Sequence, residues 1–236
     1  MIKIIKSLFN IDYMGGKNKG KSFWGPPYWT CVHVLCSKYK PSQKDDILIV
    51  ILYLMYLMIC EICRDHLKQI FKEFPPDQYL TNADSLFLWS YMIHDKVNKT
   101  LGKTSPSLAE MKKKYYSMTS DDYANSFWIM IHATCIAYRP KTKNYMKSWL
   151  QSLINILPDQ KWKKSSHEYI KTVDINMFLK CREDMLFWSY CFHDYINDSV
   201  GKKSPSYREV KSYYLYKIAG EDTKLLLEGK CDMCHA

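Results

Sequence analysis

Two stretches of this 236-residue chain repeat one another at a fixed offset of 99 residues, without a gap. Phe87-Leu88-Trp89-Ser90-Tyr91-Met92-Ile93-His94-Asp95-Lys96-Val97-Asn98 returns as Leu186-Phe187-Trp188-Ser189-Tyr190-Cys191-Phe192-His193-Asp194-Tyr195-Ile196-Asn197. Gly102-Lys103-Thr104-Ser105-Pro106-Ser107 returns as Gly201-Lys202-Lys203-Ser204-Pro205-Ser206, and Trp29, His33, Cys36, Tyr39 and Pro41 return as Trp128, His132, Cys135, Tyr138 and Pro140. A register kept through so many positions makes the chain a duplicated domain, so whatever one half folds into the other must fold into as well.

Each half reads as helical. Trp29 and His33 are four residues apart, as are His94 and Asn98, which places each pair on one helix face. Asp45 to Ile59 contains the apolar run Ile47–Ile59 and predicts a central helix, apolar on every side. Pro75-Pro76 and Ser105-Pro106-Ser107 separate helices, and a further short helix is expected from Leu108 to Tyr116. With only 8 Gly and 9 Pro in the chain, long stretches run unbroken. The expected fold is all-α: two tandem bundles of four or five helices, forming a pseudodimer within one chain. The expected divisions are an N-terminal segment 1–22, a first bundle 23–118, a second 119–216 and a tail 217–236.

The halves differ where chemistry is concentrated. Cys60-Glu61-Ile62-Cys63 stands in the first, while the positions 99 residues on hold Asp159 and Trp162. A Cys-X-X-Cys at a helix start brings two sulfurs within bonding range, and the helix N-terminus favours a thiolate, with Arg64, His66 and Lys68 in support. A second pair, Cys231/Cys234, lies in the tail. The pair at 60–63 could instead be half of a zinc site completed by Cys231, Cys234 or His235, although 168 positions separate Cys63 from Cys231. No βαβ pattern surrounds it, which disfavours a thioredoxin-like fold. Cys31, Cys36, Cys135, Cys181 and Cys191 sit among apolar residues and are read as core.

The net charge of +10 is spread in short lysine pairs and triples without a nucleic-acid-binding motif, so no nucleic-acid partner is expected. The 13-residue run Ile47–Ile59 is shorter than the roughly 20 residues that cross a bilayer, so no membrane span is expected. The N-terminus does not read as a signal peptide. Asn98 and Asn197 match the glycosylation tripeptide, with nothing to indicate a secretory route.

Taken together, Trp29-Thr30-Cys31-Val32-His33, then Cys60-Glu61-Ile62-Cys63, then His94-Asp95-Lys96-Val97-Asn98-Lys99-Thr100-Leu101-Gly102-Lys103 resemble the Erv/ALR family of FAD-linked sulfhydryl oxidases. The likeness covers about residues 23–116, and more weakly 122–215. The lysine-, tyrosine- and isoleucine-rich composition is similar to that of members from large DNA viruses, for which the host cytoplasm or the virion would be the setting. The resemblance implies a bundle that holds FAD with the dithiol beside its isoalloxazine ring. Cys63 would then be the flavin-proximal cysteine and Cys60 the interchange cysteine. Trp29, His33, His94, Val97, Asn98 and Lys103 would line the FAD, with Gly25, Tyr39, Leu101 and Tyr115 as further contacts. Asp95 stands where the family usually has Asn, adding a negative charge at that contact. The structural disulfide of many members is missing, since no cysteine lies between Cys63 and Cys135.

The implied activity is oxidation of protein thiols to disulfides, with dioxygen reduced to hydrogen peroxide. Cys231/Cys234 would be a shuttle pair, on a tail whose 14 residues from Lys217 to Cys231 extend up to about 45 Å. The second half, lacking the dithiol, would stand in for the partner bundle of a dimer and leave the protein monomeric, with a single FAD. A non-catalytic helical scaffold and a zinc-stabilised interaction module are the competing classes.

Overall fold

The computed structural model describes residues 19–218, and among them every regular element is helical. The first repeat comprises α1 (Lys21–Ser37), α2 (Lys44–Leu57), α3 (Glu61–Glu73), α4 (Ala83–Thr100) and α5 (Leu108–Tyr116). The second comprises α6 (Ser120–Ile136), α7 (Lys143–Asn155), α8 (Gln160–Thr172), α9 (Arg182–Ser199) and α10 (Tyr207–Ile218). Short 3-10 turns at Pro41–Gln43 and Pro76–Tyr79 recur at Pro140–Thr142 and Ile175–Phe178. The all-α expectation holds, with five helices per repeat. The expected helix through Ile59 stops at Leu57, because Met58 turns into extended backbone (φ −60°, ψ 145°) ahead of the first cysteine.

Local chemistry sets the helix boundaries. Asn82 Oδ1 accepts from Ser85 N–H at the start of α4, and Ser107 with Glu110 forms a capping box at α5. The repeated Gly-Lys motif ends α4 and α9. Gly102 (φ 66°) and Gly201 (φ 71°) take the left-handed conformation that closes a helix. Lys103 N–H then donates back to Asn98 O, and Lys202 N–H to Asn197 O, each at 2.8 Å. In both halves the motif is therefore a helix terminator, whatever else its side chains do.

Corresponding helices of the two repeats face each other: α1 packs on α6, and α2 on α7. The apolar run of α2 is spent here. Ile47, Val50, Ile51, Leu54 and Leu57 are buried, and no helix among the described residues is long and apolar enough to cross a membrane. Trp149 Nε1 donates to Val50 O at 3.2 Å, Tyr28 and Thr134 share a buried hydroxyl hydrogen bond of 2.7 Å, and Tyr56 stacks on Tyr145 at 4.2 Å. The hydrophobic core runs through this contact without interruption. Trp149→Ala removes a fully buried indole from it and is expected to cost about 3–5 kcal/mol. Urea denaturation should show that loss in one transition shared by both repeats; a transition confined to residues 119–216 would contradict the common core.

Candidate redox site

The dithiol stands where α2 gives way to α3. Cys60 is extended (φ −88°, ψ 117°) and occupies the N-cap of α3, its Sγ accepting from Cys63 N–H at 3.2 Å. Cys60 and Cys63 form a disulfide with Cα atoms 5.2 Å apart. Cys60 is 2 % exposed, Cys63 is half-buried, and Ile62 projects into solvent at 76 % exposure. The mirrored cap is Asp159, whose Oδ1 accepts from Trp162 N–H at 2.8 Å. A carboxylate caps a helix better than a sulfur. The first repeat thus places a weaker cap where the dithiol stands, and the second has the ordinary one.

A cluster of rings joins α1 and α4. Trp29 stacks on His94 at 4.0 Å and an interplanar angle of 4°. His33 Nε2 is 2.8 Å from His94 Nδ1, and His33 Nδ1 is 3.0 Å from Ser90 Oγ. The tautomers follow from this chain. Ser90 gives its proton to Phe87 O at 2.8 Å, so it accepts from His33 Nδ1–H. Neutral His33 then accepts at Nε2 from His94 Nδ1–H, leaving the Nε2 lone pair of His94 for an outside donor. Both rings are held neutral. Burial, then His94 and Lys114, push His33 well below the usual histidine range; burial outweighs Asp95 and brings His94 down to about 4.

Tyr115 is buried against His33, with ring centroids 4.8 Å apart. Asn98 Nδ2 donates to Ser105 Oγ at 3.0 Å, and half-buried Val97 packs on the core. Lys103 and Leu101 are exposed just beyond α4. Asp95, where the motif usually has Asn, pairs with Lys99 at 2.7 Å; that ammonium and the Ser105 hydroxyl hold its carboxyl below the ordinary range. Gly25 lies within α1 with open space where a side chain would be. Tyr39 is occupied elsewhere, its hydroxyl donating to Leu80 O at 3.0 Å. Ser90 and Phe87 are not singled out by the sequence analysis; Ser90 stands in the repeated Trp-Ser-Tyr block, and Phe87 lies two positions ahead of it with Leu186 as its copy. Cys231 and Cys234 lie outside the described residues.

The second repeat keeps the relay and covers the Trp-His pair. Trp128 stacks on His193 at 3.8 Å, His132 Nε2 is 3.0 Å from His193 Nδ1, and His132 Nδ1 is 2.9 Å from Ser189 Oγ. Trp162, in place of Cys63, sits 5.3 Å from Trp128 and 5.6 Å from Phe127. Phe192, in place of Ile93, packs edge-on to Trp128 at 5.3 Å. Trp128 and His193 are therefore 7 % and 6 % exposed, whereas Trp29 and His94 remain half-buried. Trp162 rests on Trp128, and Cys63 and Trp29 hold the matching positions in the first repeat. No group of three or more metal-binding side chains is gathered among the described residues.

Residues 26–116 match the family described as Erv1 / Alr, so the likeness drawn from the three motifs is shown for the first repeat. The relatives include proteins named FAD-linked sulfhydryl oxidase from two African swine fever virus isolates, each 27 % identical over 96 residues, or 39 % of this chain and 79 % of the relative. A third isolate's protein of that name is 25 % identical over 114 residues, covering 47 % of this chain and 91 % of its own. No solved structure matches the chain.

The neutral histidines give a pH dependence. His132 is lowered by burial to about 3, and His193 lies well below its ordinary range for the same cause, reinforced by His132 and Lys202. Each takes up a proton more readily unfolded than folded, so its stabilising effect is complete above about 6.5 and is lost progressively as pH falls, towards about 4 for His94 and about 3 for His132. The urea midpoint is expected to drop between about pH 7 and about pH 5, above the main carboxylate range. A midpoint that stays constant across that interval would show that these rings are not held neutral.

Proposed function

We propose that the chain is an FAD-dependent thiol oxidase whose first repeat is the catalytic bundle. The carrying observation is the asymmetry between two otherwise matched ring clusters. In the repeat that has the Cys60–Cys63 disulfide Trp29 and His94 are half-buried, and in its copy Trp128 and His193 are buried, with Trp162 and Phe192 packed on Trp128. A half-buried Trp-His ring pair with an outward-facing His94 acceptor suits a stacked heteroaromatic cofactor, and the names of the viral relatives support FAD as that cofactor.

In this reading Trp29 and His94 stack on the cofactor, while His33 and Ser90 fix the tautomer of His94. Asn98 and Lys103 sit at the α4 terminus, where Lys103 offers a cation to the pyrophosphate. FAD, when bound, accepts the dithiol's two electrons and supplies the reactivity towards dioxygen that yields hydrogen peroxide. The residues of the chain do the rest by exchange. A thiolate of the tail pair Cys231/Cys234 attacks Cys60, breaking the Cys60–Cys63 bond and releasing the Cys63 thiolate. The second tail thiolate resolves the mixed disulfide and returns Cys60 reduced. The tail disulfide so formed is the oxidant for protein thiols. The second repeat supplies the dimer-like face in the same chain, which leaves the protein monomeric.

The purified protein is expected to carry a visible flavin band at one FAD per chain; two per chain would mean that Trp162 does not exclude FAD from the second repeat. Cys63→Ser should reduce oxygen consumption with a small dithiol by at least about a hundredfold, since electrons no longer leave the dithiol. Retained turnover would refute the route through Cys63. Joint replacement of Cys231 and Cys234 by Ser should spare small dithiols and slow protein substrates about tenfold or more. Equal loss on both substrate types would remove the shuttle.

A further inference from the structure

Resting on the oxidase reading, we infer that the second repeat takes part in the redox site through Arg139, which together with Arg64 holds the dithiol turn in register and tunes the Cys60–Cys63 couple. The turn from Tyr56 to Cys60 leaves α2 with carbonyls that no helix hydrogen bond uses. Two guanidinium groups take them. Arg64, from the first turn of α3, donates through Nη1 to Met58 O at 2.6 Å and to Ile59 O at 3.4 Å. Arg139, which precedes the Pro140–Thr142 turn of the other repeat, donates through Nη2 to Tyr56 O at 2.9 Å. Three of the four carbonyls ahead of Cys60 are thus tied to cations, one of them contributed across the repeat interface.

These contacts fix the extended backbone that puts Cys60 in the cap position, with its sulfur 3.2 Å from Cys63 N. They also bring two like charges together at a cost. Arg64 is buried, and its pKa is lowered by burial and then by Arg139, with Glu61 and Asp65 offsetting only part. Glu61 approaches Arg64 no closer than 3.8 Å. Arg139 Nε is buried without a hydrogen bond, and Arg182 adds a third cation facing Arg139. Burying unpaired donors and like charges destabilises a fold. Stability alone therefore does not explain arginine at these positions.

The mirrored turn is the natural control. Arg64 corresponds to Lys163 and Arg139 to Lys40. At the mirrored turn the Pro158 carbonyl, which corresponds to Ile59 O, accepts from the neutral Gln160 Nε2 at 3.4 Å, while backbone bonds close both turns: Met58 N–H to Leu54 O at 3.1 Å in the first repeat, Ile156 N–H to Ser152 O at 3.2 Å and Leu157 N–H to Ile154 O at 3.4 Å in the second. Both arginines are found at the turn that carries the dithiol, and neither at the turn that has lost it. Two cations bonded to the backbone just ahead of Cys60 add positive potential near the pair, which favours the thiolate form and so the reduced dithiol over the disulfide.

The test equilibrates the full chain with glutathione, in which the Cys60–Cys63 disulfide and two glutathione thiols give the dithiol and glutathione disulfide. It is run in a background with Cys231 and Cys234 replaced by Ser, so that only one pair is read. Arg139→Met and Arg64→Met are each expected to shift the constant about tenfold towards the protein disulfide, or about 30 mV for a two-electron couple. kcat with a small dithiol should fall severalfold at unchanged flavin content. Arg139→Lys, which keeps the charge, should recover most of the shift, and Lys40→Met should leave the constant as it was. Wild-type equilibrium and kcat in Arg139→Met, with only a lowered melting temperature, would overturn the inference, and half-buried Arg139 decides the matter if Arg64→Met fails to fold. A chain without flavin or oxygen consumption would instead sink the oxidase reading, and the glutathione equilibrium would still test the arginines.

Discussion

The burial of α1 and α2 against α6 and α7 is the constraint on which the rest of the molecule depends. Each repeat alone would leave two apolar helices uncovered, and α2 has no polar face to turn outward. Pairing the halves covers both and fixes where each bundle can differ. Helices at the contact must stay complementary, while α3 and α8, which flank it, have diverged in chemistry. The dithiol and its tryptophan replacement lie on those two helices.

The fold was legible in the sequence because the repeat fixed the period and the turn residues marked the breaks. Ser105-Pro106-Ser107 announced the helix Leu108–Tyr116, while its capping box and the positive φ of Gly102 and Gly201 emerged with the structure. The end of α2 was not, since Met58 and Ile59 are as apolar as the helix before them. The hydrogen bonds from Arg64 to Met58 O and Ile59 O, which no periodicity announces, hold the extended backbone there. Of the site, the Trp29/His94 and His33 sets could be found from spacing and duplication. Tyr39 is bound to Leu80 O, which no spacing argument anticipates. Arg139 lies 75 positions beyond Arg64 and converges on the turn only through the folded interface.

Several motif residues have two roles, and the duplication separates them. Asn98, Gly102 and Lys103 terminate α4 just as Asn197, Gly201 and Lys202 terminate α9, so their persistence in the second half needs no cofactor. The serine-histidine-histidine relay likewise persists where Trp162 covers Trp128, because a neutral, fully hydrogen-bonded relay is a satisfied way to bury imidazole. Cys60 is the opposite case. Asp159 shows what the cap position prefers when only structure is at stake.

The buried hydrogen bond between Tyr28 and Thr134 has a consequence for how the two halves recognise each other. The positions that mirror this pair hold Phe127 and Leu35, both buried and both apolar. Two first repeats placed face to face would bring each Tyr28 hydroxyl against Leu35 with no partner, and two second repeats would lose the polar contact altogether. Covalent linkage freed each side of the contact to change without its own copy having to accommodate the same change. The contact is a match between unlike faces, so neither half can serve as a substitute for the other.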